Sequence, residues 1–67
     1  MSKTIDENKI MGLVDDLKDA IRAAGDERLP HSEREFARDY VCETLGTDSV
    51  FQGRMKLSGI IYRHKED

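Results

Sequence analysis

The sequence predicts a mainly α protein: a small helical domain of two amphipathic helices, followed by a short third helix and a short C-terminal extended segment. Three observations carry that expectation. Apolar residues recur at spacings of three and four over residues 10–24 and 36–45, the period of a helix with one buried face. Each run is followed by a glycine, Gly25 and Gly46, and glycine is the residue that most readily ends a helix. The length, 67 residues, leaves room for a single domain spanning 1–67, one that buries only about 60% of the surface its unfolded chain exposes.

The first helix is expected over about 7–24. Ile10, Leu13, Val14, Leu17, Ile21 and Ala24 fall in one stripe about 100 degrees wide at 100 degrees per residue. Asp6 is placed to cap its N-terminus, and Gly25 to end it in a left-handed conformation at no steric cost. Residues 25–32 then form a polar loop, in which Pro30 prevents the helix from continuing.

Ser32-Glu33-Arg34-Glu35 reads as a capping box, with the serine oxygen accepting from the Glu35 backbone and the Glu35 carboxylate reaching back. The second helix is therefore expected over about 33–45. Phe36, Ala37, Tyr40, Val41 and Thr44 form its apolar face, and Leu45-Gly46 its stop. Neither helix is long enough to be secure alone in water, so the two stripes are expected to bury each other.

The C-terminal element, about 48–64, admits two readings. In the first, Asp48 caps a short helix through Leu57, Gly59 ends it left-handed, Ile60 folds back on Met55, and a short strand follows. Gly53 inside that helix costs about 1 kcal/mol relative to alanine. In the second, an α+β alternative, the element is a hairpin. Met55 and Leu57 alternate with Arg54 and Lys56, Ser58-Gly59 makes the turn, and Ile60-Ile61-Tyr62 returns.

Composition narrows the function classes. Cys42 is the only cysteine, which excludes a disulfide within the chain and fits a reducing, cytoplasmic setting. Residues 1–8 hold no apolar run, so neither a secretory signal nor a membrane anchor is expected. Catalysis finds no support. His31 and His64 stand in polar sequence, no serine sits in a glycine-flanked elbow, and one cysteine with two distant histidines is not a zinc pattern. The five glycines match neither dinucleotide nor phosphate-loop spacing, so no cofactor is expected.

The net charge of -3 is unevenly spread. Residues 1–27 hold seven acids against four bases, whereas residues 49–65 hold four bases and no acid. Clustered sign creates a field that steers partners even when the total charge is modest. On the first helix, Asp15, Asp16 and Asp19 lie opposite the apolar stripe, and on the second, Glu35, Asp39 and Glu43 stand at successive i, i+4 positions. Like-charge rows are destabilising by a few tenths of a kcal/mol per pair, so a marginal domain that keeps two of them is expected to use them. The leading expectation is thus a non-enzymatic protein-interaction module that docks an acidic helical face on the basic surface of a protein or nucleoprotein complex. Arg22, Arg34 and Arg38 lie near enough in sequence to neutralise part of each row.

The basic segment offers a competing site. Arg54, Lys56, Arg63 and Lys65, with Phe51, Tyr62 and His64 nearby, can supply phosphate contacts and a stacking platform. Ser49-Val50, Met55, Leu57 and then Gly59-Ile60-Ile61-Tyr62-Arg63 resemble the recognition helix of a winged helix-turn-helix domain running into its wing, over about fifteen residues. That resemblance implies a small nucleic-acid-binding regulator. In kind alone, a compact acidic domain without catalytic groups resembles the inhibitors that phages and mobile elements encode, anti-CRISPR proteins among them. Homodimerisation is compatible with either class, through Phe51, Met55, Ile60, Ile61 and Tyr62 near the end of the chain.

Overall fold

A computed structural model describes residues 6–65. It is mainly helical, as the periodicity predicts, with four helices in the order α1 (Glu7–Met11), α2 (Val14–Ala24), α3 (His31–Leu45) and α4 (Val50–Lys65). There is no strand among the described residues.

The predicted first helix is two helices. Asp6 caps α1 as expected, accepting from the backbone N–H groups of Asn8 and Lys9 at 3.1 and 3.3 Å. The chain then tightens. Gly12 donates to the carbonyls of Asn8 and Lys9, and Leu13 donates to Ile10 at 2.9 Å before α2 begins. The i→i−3 bonds turn the axis, so the apolar stripe is shared: α1 packs on α4, whereas α2 packs chiefly on α3. Gly25 does follow the last residue of α2, but not in the expected left-handed conformation. Its φ of −104° and ψ of 5° close the helix on short-range bonds from Gly25 to Arg22 and from Asp26 to Ala23.

The capping box expected at Ser32–Glu35 does not form. Pro30 occupies the cap position with φ −59° and ψ 153°, and its carbonyl accepts from Glu33 and Arg34 at 3.1 Å each. With Pro30 setting the start, Ser32 lies already inside the first turn, and Glu35 pairs instead with His31 Nε2 at 2.6 Å. At the other end Gly46 takes the left-handed conformation, φ 68°, while Thr47 donates to the Cys42 carbonyl at 3.0 Å. This is the predicted stop, and glycine is required there.

The C-terminal region departs most from expectation. Neither a short strand, nor a hairpin, nor a wing follows Leu57; one helix runs through Gly59 to Lys65. Gly59 is helical rather than left-handed. Ser49, not Asp48, caps α4: its Oγ accepts from the Gln52 N–H at 3.2 Å, and the Gln52 side chain accepts from the Asp48 N–H at 3.3 Å. Basic residues in the last turn complement the helix dipole and favour the longer helix.

The core is Ile10, Leu17, Val41, Leu45, Leu57 and Ile60, with Ala37 buried beside it. On α3 the buried line is Ala37, Val41 and Leu45 at successive i, i+4 positions. Phe36, expected on that face, lies about 100 degrees round the helix and is 77% exposed. Gly53 is buried where α4 crosses α3. A Cβ there would stand 2.8 Å from Val41 Cγ1 and 3.2 Å from Thr47 Oγ1, so the absent side chain is what permits the close approach.

Candidate interaction surfaces

The six carboxylates predicted as a docking face are all exposed. Asp15 and Asp19 lie on α2 opposite Leu17, with Asp16 on the flank about 100 degrees from it, and Glu35, Asp39 and Glu43 lie on α3 opposite Val41. Because each row backs onto the core contacts of its own helix, the two rows diverge and do not merge into one patch. Among the described residues, Asp15, Asp16, Asp19, Asp39 and Glu43 form no ion pair, and Arg22, Arg34 and Arg38 neutralise none of them by direct contact. Arg34 turns elsewhere; its Nε is buried without a hydrogen-bond partner. Its charge, after the hydrogen bonds from the Arg28 side chain and backbone, helps hold the Asp26 carboxyl below its ordinary value.

The basic residues of α4 are also exposed, but they do not act as one group. At 100 degrees per residue, Arg54 and Lys65 lie on one flank of the helix, and Lys56 and Arg63 on the other. Arg63 is engaged within the molecule: its Nη2 donates to Glu7 Oε2 at 2.6 Å, and His64 Nε2 lies 3.4 Å from Glu7 Oε1. The Arg63 hydrogen bond, joined by its charge and by His64, holds the Glu7 carboxyl below its ordinary value. This clip fastens α1 to the end of α4.

Between the two basic flanks runs a feature that the sequence reading did not isolate. Phe51, Met55 and Tyr62 are 69%, 61% and 66% exposed, and they fall within about 40 degrees of one another on α4, opposite Gly53, Leu57 and Ile60. Helix α4 is thus apolar on two opposite faces. Ile60 and Ile61, grouped with the exposed three in the sequence reading, separate from them: Ile60 fills the core and Ile61 is half-buried beside it. The signal was available in the spacing 51, 55, 62, but only to a reading that keeps the element helical to its end.

No set of three His, Cys, Asp or Glu side chains is placed to hold a metal among the described residues. No helix there is long and apolar enough to cross a membrane. Cys42 is half-buried and free. No protein-family model, curated protein or solved structure matches the chain.

Proposed function

We propose that this chain is a non-enzymatic protein-interaction module, a regulator or inhibitor that works by occupying a partner's surface. The exposed apolar line of Phe51, Met55 and Tyr62 carries this reading. A small domain has few apolar residues to spare, and three large ones aligned on a solvent-facing helix mark a site for a partner. Aromatic residues and methionine are the types enriched at the centres of such contacts. A second reading places a docking face for a basic partner on the acidic rows, favoured by the five carboxylates that remain unpaired. Nucleic-acid binding through Arg54, Lys56, Arg63 and Lys65 is the other class, with Arg63 already committed to Glu7.

Affinity capture from lysate, with and without nuclease, separates these readings. The wild-type chain is expected to retain a protein through nuclease treatment. The variant carrying Phe51→Gln, Met55→Gln and Tyr62→Gln is expected to lose that protein while keeping its helical circular dichroism. Loss instead on changing Asp15, Asp16 and Asp19 to Asn moves the site to the acidic row of α2. Release by nuclease, or capture of nothing by either form, overturns the proposal.

A further inference from the structure

Helices α2 and α4 touch only lightly, and the space between them is an open groove. It has a hollow of about 500 Å³ lined by Ile21, Leu57 and Ile61 with Lys18, Arg22 and Arg54 around them. This continues past Ile21, Gly25 and Arg54 into a second hollow of about 380 Å³, where Ala24, Val50 and Phe51 meet Arg38. The floor is aliphatic. The rim carries four cations from three different helices, Lys18, Arg22, Arg38 and Arg54, and no carboxylate lines either hollow. None of the four forms an ion pair among the described residues. In a chain of net charge -3, this is a concentrated reversal of sign.

We infer that this groove receives an acidic amphipathic helix of a partner protein, apolar side chains on Ile21, Leu57 and Ile61, carboxylates against the four cations. This rests on the protein-interaction reading above and names the partner's chemistry. An amphipathic helix laid in an apolar groove is a recurrent mode of recognition, and charge at the rim sets which helix is accepted. Along α4 the groove runs from Val50 to Ile61, about 16 Å at 1.5 Å per residue, which accommodates about three turns. Phe51 belongs both to the groove and to the exposed line, so the two surfaces are continuous.

Other occupants fit less well. A nucleic-acid backbone gains nothing from an aliphatic floor, and Phe51 is the one aromatic residue in either hollow on which a base could stack. A second copy pairing through α4 would set Arg54, Lys56, Arg63 and Lys65 against themselves, since α4 carries no acid. The outer faces of α2 and α3 in a second copy have the carboxylates, but Phe36 is the one exposed large apolar residue beside them, too little to fill a floor of Ile21, Leu57 and Ile61.

The test uses the full chain and a fluorescein-labelled helical peptide with leucines on one face and glutamates on the other. Fluorescence anisotropy is expected to show saturable binding that weakens about tenfold or more when the glutamates become glutamines. The double variant Arg22→Glu and Arg54→Glu, both exposed positions, is expected to lose the acidic peptide and to accept one in which lysines replace the glutamates. Absence of binding, equal binding of the glutamine peptide, or indifference to the charge reversal would overturn the groove assignment. A single-stranded oligonucleotide that displaces the peptide would overturn it in favour of nucleic acid, and a dimer mass in light scattering in favour of a second copy. The protein-interaction reading stands or falls on separate measurements, the nuclease-treated capture and the Phe51, Met55 and Tyr62 variant.

Discussion

Two glycines in α4, six residues apart, show how the same residue type carries opposite meanings. In a helix each gives up about 0.5–1 kcal/mol relative to alanine through its backbone freedom. At Gly59 the space for a methyl group is open, with Arg63 Nη1 at 3.8 Å as the nearest neighbour. Gly59→Ala is therefore expected to raise stability by about 0.5–1 kcal/mol. At Gly53 the same methyl would meet Val41 Cγ1 at 2.8 Å and Leu45 Cδ1 at 3.4 Å, so α4 must move away from α3 or Val41 must repack. Overpacking of this kind costs about 1–3 kcal/mol, which outweighs the propensity gain, and Gly53→Ala is expected to destabilise. Urea unfolding of the two variants checks the pair; equal midpoints would sink the close-approach account. The sequence pattern suggests a helix-interior glycine at Gly53 and a stop at Gly59, yet both lie inside α4, and which of them an added methyl group would clash with depends on packing that the pattern does not carry. Phe36 illustrates the same limit. Its hydrophobicity places it on the core face of α3, yet Ala37, Val41 and Leu45 fix the rotation of the helix, and Phe36 is left outside.

For whole elements, most of the helical architecture was legible, and the errors lie where two local signals compete. Ser32–Glu35 and Ser49–Gln52 both match the pattern of a serine followed three residues later by an acceptor side chain. Pro30 decides against the first by starting α3 early, and the second becomes the working cap of α4. Gly59 read as a stop made α4 look short, and with it the alignment of Phe51, Met55 and Tyr62 disappeared. The groove was beyond a linear reading altogether, because its cations come from α2, α3 and α4. The clip between α1 and α4 carries its own prediction. A carboxyl whose folded value is depressed contributes stability that is present above its unfolded value and lost as pH falls through the folded one. Glu7 is such a group, held down first by Arg63. Acidification below the ordinary glutamate range is thus expected to release α1, seen as a shift of the Ile10 methyl resonance, before the remaining helices melt. Arg63→Ala is expected to remove that pH dependence; an unchanged profile would show that the clip does not hold α1.

Across the molecule, margins are narrow. A single core of this size supplies about 3–5 kcal/mol, and among the described residues no disulfide adds to it. Leu17 is fully buried in α2, which with α3 forms the most extensive helix pair among the described residues. Leu17→Ala is expected to cost about 2–5 kcal/mol, as much as the whole domain holds, and to leave the chain largely unfolded at 25 °C by circular dichroism. A cooperative thermal transition retained near the wild-type midpoint would show that stability comes from elsewhere, such as association. Such thin reserves also bear on the tight turn at Gly12 and Leu13. Since α1 is joined to α2 only by that turn, and its anchor Arg63 lies 56 residues from Glu7, the contact that closes the molecule spans nearly its entire length. Contacts of that span carry the greatest loop-closure entropy, whereas the α2–α3 pair needs only a short loop. Folding is therefore expected to begin with α2 and α3, with the two ends of the described structure fastening together as the last event.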